Sequence, residues 1–263
     1  MTLLEQMHRQ PAMVIMNGNH VTEQLVADVI SYLGGSPLVA EDFRDDEALV
    51  PLASAVALNM GTVSEESHKR LIHLGRFANQ NQKPVVFDPV GAGASKLRKE
   101  QALAIMEAVS VKVVRGNLSE IAALLSGEQS RLGIDSTSEA DAVQTALDYA
   151  RCSKAWVVIS GAVDTVSDGQ RVFQIDNGHP YLAKNVGMGD ALDGILALGL
   201  AQAATFEAFV RVAAILPVAA DLAMKEGTVE GPASFKTSLL DHLYQLNDDE
   251  LTKTAKIQEV SLA

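Results

Sequence analysis

Four consecutive residues, Gly187-Met188-Gly189-Asp190, stand directly before an apolar stretch of helical character. Two glycines permit a tight turn whose N–H groups point one way, and a helix start adds partial positive charge there. Fixed donors of this kind stabilise the negative charge that builds on a transferred phosphoryl group. Asp190, beside those amides, is placed to take the proton from an attacking hydroxyl. The same residues also read as a Gly-rich loop ended by an Asp N-cap, and the segment alone does not separate the two readings.

Three further segments carry polar groups of useful type. Arg115-Gly116-Asn117-Leu118-Ser119-Glu120 follows an apolar run. Asn117 and Glu120 have the spacing of a capping box; equally, Glu120 suits a magnesium site, through water, with Arg115 on phosphates, since Mg²⁺ keeps several waters and few carboxylates. Asp88-Pro89-Val90-Gly91-Ala92-Gly93-Ala94 ends another apolar run. Asp88 there suits a metal or phosphate role, against a plain turn with glycines at unusual φ. Ser160-Gly161 offers a hydroxyl to phosphate or to a turn. The histidines have no zinc-like grouping, since His68 and His73 miss the i,i+4 spacing and no Cys cluster accompanies them. His20 differs only in lying where a loop follows an apolar run.

These residues need elements to hold them. Apolar, β-rich runs at 12–16, 37–40, 55–59, 84–88, 111–115 and 155–160 alternate with helical segments at 21–33, 64–80, 99–108, 118–125 and 138–152. Nearly wholly apolar strands between helices predict a parallel sheet covered on both faces. Asp168-Gly169 between β-prone residues signals a hairpin over 164–174. Helices are predicted over 190–204, 206–226 and 233–246. The carboxyl ends of successive strands carry Asn17-Gly18-Asn19-His20, Asn59-Met60-Gly61-Thr62, Asp88, Arg115-Gly116-Asn117 and Ser160-Gly161. Ligands bind at that end of open α/β sheets, so the recurrence of small and polar residues there points to one site. The whole of 1–263 is expected to form a single domain.

Bulk composition narrows the partners. The formal net charge of -12 argues against nucleic acid and against an anionic membrane surface. An anion such as ATP would have to be held by backbone nests, a few cations and a divalent metal. A single cysteine, Cys152, excludes an intrachain disulfide and agrees with a reducing compartment. The first eleven residues carry Glu5 and Arg9 and lack an apolar h-region, so no signal peptide and a cytoplasmic location are expected. The apolar run 191–204 is too short for a membrane span.

In their order, Gly34-Gly35-Ser36-Pro37, Leu58-Asn59-Met60-Gly61-Thr62, the Asp88–Ala94 segment, Arg115-Gly116-Asn117 with Glu120, and Gly231-Pro232-Ala233-Ser234-Phe235 resemble the hydroxyethylthiazole kinases of thiamine salvage, in the ribokinase-like superfamily. The resemblance spans about 11–246. It implies a three-layer α/β/α sandwich with a mostly parallel central sheet and no separate lid, assembled as a homotrimer. It implies transfer of the ATP γ-phosphoryl group to 4-methyl-5-(2-hydroxyethyl)thiazole, with Mg²⁺. On that pattern Arg115, Ser160, Asp88 and Asn117 bind ATP, and Glu120 and Asp88 arrange the metal. Gly187, Met188 and Gly189 form the anion hole and Asp190 is the base. Val39, Gly187, Asn19, His20 and Met60 line the alcohol pocket. The family often shows Gly-Ala-Gly-Cys where this chain has Gly187-Met188-Gly189-Asp190; Asp is the usual base in the superfamily. The pocket departs further: Gly18-Asn19-His20 replaces Thr-Asn-Asn, Val39 replaces Met, Ala162 replaces Glu and Val186 replaces Thr. These departures leave open another small heterocyclic alcohol, such as a pyrimidine or pyridine methanol. A non-catalytic ligand-binding homologue and an ATP-dependent lyase on the same fold also remain open.

Overall fold

A computed structural model describes residues 1–126, 139–225, 227 and 229–262. In chain order the helices are α1 (Leu3–Arg9), α2 (Glu23–Tyr32), α3 (Asp46–Leu49), α4 (Glu65–Gln80), α5 (Lys96–Ala108), α6 (Leu118–Leu125), α7 (Glu139–Ser153), α8 (Met188–Leu200), α9 (Phe206–Ala213), α10 (Ile215–Lys225), α11 (Pro232–Gln245) and α12 (Asp248–Thr254). The strands are β1 (Met13–Asn17), β2 (Ser36–Val39), β3 (Ala55–Asn59), β4 (Val85–Asp88), β5 (Val113–Asn117), β6 (Trp156–Ser160), β7 (Asp164–Ser167), β8 (Val172–Ile175) and β9 (Ile257–Glu259).

All nine strands form one sheet in the order β2-β1-β3-β4-β5-β6-β7-β8-β9. From β2 to β6 every neighbouring pair is parallel, and β7, β8 and β9 continue antiparallel. Side-chain alternation along the strands sends successive residues to opposite faces. Val14 and Met16 of β1, Ala55 and Ala57 of β3 and Val86 of β4 join a core with helices α2, α8, α9, α10 and α11. Ile15, Val56, Leu58, Val85 and Phe87 join a second core with α4, α5, α6 and α7. The result is the three-layer, mostly parallel sandwich expected from the alternating pattern, and no separate lid stands out among the described residues.

The chain runs from β1 outward to β2, then returns to β3 on the other side of β1. This reversal opens a crevice between the carboxyl ends of β1 and β3, where Asn17 and Asn59 end their strands. Helix α8 packs over that crevice. Met188, Ala191, Leu192, Asp193 and every residue from Gly194 to Gly199 are buried, because α8 contacts β1, β3 and β4 below and α2 and α9 at its sides.

Several boundaries differ from those read in the sequence. The predicted helix over 206–226 is two helices that part at Ala214. The helix expected from 190 begins at Met188 and ends at Leu200. Ser138, where the helix over 138–152 is expected to start, lies outside the described residues, and the described helix runs Glu139–Ser153. The hairpin around Asp168-Gly169 forms, with Gly169 at φ 87°. Helices α1, α3 and α12 and strand β9 are additional. Helices α1 and α12 have seven residues each and are tied together where Asp248 accepts from Thr2 Oγ1 and the Leu4 N–H; β9 is three residues long and gains its place only by pairing with β8. Among the described residues no helix is long and apolar enough to cross a membrane.

Candidate active site

The amino end of α8 lies beside the crevice and carries the residues of the Gly-Met-Gly-Asp segment. Gly187 is the N-cap, at φ 92°, a left-handed conformation that a side chain would strain. It supplies no side-chain cap, so the Gly189 amide keeps its capacity to meet an anion, while the Met188 N–H makes a long 3.4 Å bond to Asn185 O. Gly189 is required for a different reason. A Cβ there would fall 1.8 Å from Arg115 Nη2, so the guanidinium is packed directly on the helix tip.

Asp190 is held by three donors from the two neighbouring strand ends and α2. Its Oδ2 accepts from Asn19 Nδ2 at 2.7 Å and from Thr22 Oγ1. Its Oδ1 accepts from Asn59 Nδ2 at 3.1 Å. The same Asn59 amide lies 3.1 Å from Asp88 Oδ2 and 3.2 Å from Asp193 Oδ2. Asp193, one helical turn after Asp190, is thereby drawn into the cluster. Oxygens of Asp88, Asp190 and Asp193 lie within 4.8 Å of one another.

One cation stands among these acids. Arg115 Nη1 donates to Asp88 Oδ2 at 2.7 Å, and Nε is 3.4 Å from Asp193 Oδ1. Burial opposes the charge on Arg115, but Asp193, Asp88 and Asp190 together outweigh it and hold the guanidinium more firmly protonated than usual. Burial pushes the Asp88 carboxyl up to about 6, with Arg115 opposing and Glu120 adding to the rise. Burial likewise pushes Asp193 well above the ordinary carboxylate range, against the pull of Arg115. Oδ1 of Asp88 and Oδ1 of Asp193 are buried without a hydrogen-bond partner. With all three acids ionised, three carboxylates face one guanidinium, and two negative charges remain. Unpartnered hard oxygens and a surplus of two charges fit a divalent cation such as Mg²⁺.

The other expected residues fall into distinct places. Glu120 spans two backbone amides: Oε1 accepts from Gly91 N–H and Oε2 from Asn117 N–H, each at 2.8 Å. Asn117 Oδ1 accepts in return from Glu120 N–H, so the capping box is formed and also clamps the Asp88–Ala94 loop. Ser160 Oγ, at the end of β6, is buried without a partner. Ser160, Met188 and Gly189 line a cleft of about 610 Å³ that also reaches His179, Lys184 and Leu216. Asp190, Asp193 and Asn59 line a separate hollow with Asn19, Glu23 and Met16. His20 is exposed at the rim, 2.8 Å from Glu23 Oε1. Val39 is exposed on the edge strand β2. Met60 is not brought to the hollow, because its side chain is fully buried in the core on the opposite face of the sheet. Thr22 and Asp193 escaped the sequence reading, and Asn59 was named there as part of a strand-end segment without a role. The i,i+3 spacing from Asp190 to Asp193, a second acid inside an apolar helix, was the available signal.

Asp164, at the start of β7, lines the large cleft. Burial pushes its carboxyl up to about 6, against the Gly161 N–H and Arg115. The native state therefore holds a proton that the unfolded chain releases near 3.8. The corresponding stability is present below that value and is lost as pH rises through about 6. Asp164→Asn keeps the Oδ1 acceptor for Gly161 and should raise stability at pH 7.5 by at most about 3 kcal/mol, with little change at pH 4. Urea unfolding at the two pH values checks this; an unchanged midpoint at pH 7.5 would refute it.

The architecture is a ribokinase-like α/β fold. In agreement, the pyridoxal kinase of Staphylococcus aureus, solved with AMP-PCP, shares the fold at TM-score 0.61, with 18% identity over 80% of this chain and 88% of that one. Residues 4–249 match the model of the hydroxyethylthiazole kinase family. The hydroxyethylthiazole kinase of Lactiplantibacillus plantarum is 36% identical over 97% of this chain and 98% of its own length. The hydroxyethylthiazole kinase structure from Pyrococcus horikoshii superposes at TM-score 0.90, with 32% identity over 98% of both chains. The chain belongs to the hydroxyethylthiazole kinase family and is an alcohol-directed phosphotransferase of that kind.

Proposed function

We propose that this chain phosphorylates the hydroxyl of 4-methyl-5-(2-hydroxyethyl)thiazole with ATP, as a step of thiamine salvage, with Asp190 as the base and the Gly187–Gly189 amides as the anion hole. One observation supports this above the rest: the tip of α8 stands between two concavities. Met188 and Gly189 face the 610 Å³ cleft, and Asp190 faces the hollow at the β1–β3 crevice. A nucleotide in the first and the reacting hydroxyl of an alcohol at the second, which holds only about 30 Å³, would meet across the helix tip. The required order is donor phosphoryl, amides, acceptor hydroxyl and carboxylate.

Asp190 takes the hydroxyl proton while Asn19, Thr22 and Asn59 fix its two oxygens. The amides of Gly187, Met188 and Gly189 meet the charge that develops on the phosphoryl oxygens. Arg115 steadies the cluster from beneath Gly189 and faces the phosphates, with Ser160 and Asn117 at neighbouring strand ends. Asp88, through its unpartnered Oδ1, and Asp193 would hold Mg²⁺, and Glu120 would act through water while it fixes the Gly91 loop. Bound there, the metal would offset phosphate charge. The assembly is read as a homotrimer in the cytoplasm, with Val39, His20 and Asn19 at the rim of the alcohol pocket; light scattering after gel filtration should return three copies.

The acceptor reading is tested by incubating the protein with Mg·ATP and the thiazole alcohol, then detecting the phosphate ester by mass spectrometry. Turnover of the thiazole with ADP release is expected. A second acceptor class is favoured by Glu23, which lines the hollow beside Asn17 and Asn19. A carboxylate and two amides suit a ring that donates N–H, such as an aminopyrimidine methanol. Brisk turnover of that alcohol with none of the thiazole would decide for it.

A further inference from the structure

We propose that Lys184 is the phosphate-binding cation of the nucleotide cleft, meeting the terminal phosphates of the bound nucleoside triphosphate. The inference rests on the kinase reading above and adds to it a residue that neither the sequence motifs nor the acidic cluster includes.

The need for such a residue follows from charge. A triphosphate enters a protein of net charge -12, at a helix tip flanked by three carboxylates. The basic side chain at that tip, Arg115, is already engaged. Nη1 is bonded to Asp88, Nε lies against Asp193, and Nη2 is packed on Gly189. Its charge is more than cancelled by its own neighbours. Backbone amides supply only partial charges, so a full positive charge must come from elsewhere on the cleft wall.

Lys184 meets that requirement. It lines the same cleft as Ser160, Met188 and Gly189, and it is the one Lys or Arg that does so among the described residues. It lies three residues before Gly187, so its backbone leads directly into the anion hole. That approach is held by a short turn: Lys184 N–H donates to Tyr181 O, and Asn185 Nδ2 donates to Tyr181 O and Pro232 O. The side chain is exposed, with no hydrogen-bond or ion-pair partner among the described residues. A flexible ammonium anchored at its base next to a nest of amides suits phosphates whose charge is spread over several oxygens.

The test compares wild type with Lys184→Met and Lys184→Arg. Lys184→Met should raise KM for Mg·ATP about tenfold to a hundredfold, as expected for loss of a charged hydrogen bond. Lys184→Arg should recover part of it. AMP lacks the distal phosphates, so its affinity by calorimetry should be the same in all three proteins. In the wild-type protein, ATP but not AMP should protect Lys184 from acetylation by an N-hydroxysuccinimide ester, read by peptide mass spectrometry. The acetylation arm needs no variant and holds even if Lys184→Met folds poorly. Equal KM values with unprotected Lys184 would overturn the proposal, as would AMP affinity falling in step with ATP affinity. Wild-type protein that binds ATP through Lys184 yet phosphorylates no alcohol would leave this assignment standing and remove the acceptor reading instead.

Discussion

Asp190→Asn should lower kcat about 10²–10⁴-fold, the range for removing a positioned general base, while the affinity for ATP changes little. The amide is nearly the same size, so the helix tip and the 610 Å³ cleft keep their shape. It cannot accept the hydroxyl proton. Its Nδ2 would also face the Nδ2 of Asn19 or of Asn59, both of which donate to the carboxylate now. One of the two hydrogen bonds must be lost or an amide must turn. A modest loss of stability is therefore expected beside the large loss of rate, about 0.5–1.5 kcal/mol for one hydrogen bond. Single-turnover kinetics with saturating Mg·ATP isolate the chemical step from binding. A parental rate in that experiment would remove Asp190 from the mechanism and leave the helix tip as an anion site only.

The elements that carry this site were legible because their physical signals are local. Parallel strands such as Val85–Asp88 are buried on both faces, and their uniform apolarity is itself the signal. Leu118–Leu125 was bounded correctly because its cap, Asn117 with Glu120, is written in four consecutive residues. The Gly187–Asp190 segment was legible for the same reason. What escaped depends on contacts remote in sequence. Asn59 gains its importance only where β3 lies beside β1 and α8 covers both, so that one amide meets Asp88, Asp190 and Asp193. Thr22 reaches Asp190 across 168 residues. Met60 illustrates the converse. It sits in a Gly-rich loop motif, but strand alternation turns its side chain into the core and away from the hollow. The break at Ala214 does have a local signal that the sequence reading passed over: Pro217 has no N–H for the carbonyl four residues back, so it falls in the first turn of a new helix.

Gly189→Ala should be a damaging single-methyl change at the site, because the new Cβ would lie 1.8 Å from Arg115 Nη2. A clash with the far end of a flexible side chain is normally relieved by a rotation. Arg115 has little freedom to rotate, since Asp88 holds Nη1 at 2.7 Å and the group is buried. Relief therefore means separating a buried ion pair, at a cost of about 3–5 kcal/mol, and moving a cation from beneath the anion hole. Activity should fall about 10²–10³-fold, the range for losing one fixed donor to the transition state. A double-mutant cycle with Arg115→Ala separates this cause from general disruption of α8. If the damage passes through Arg115, Gly189→Ala added to Arg115→Ala should cost little more. Full additivity of the two losses would show that the methyl acts through the backbone turn itself, and the coupling of Arg115 to the helix tip would have to be abandoned.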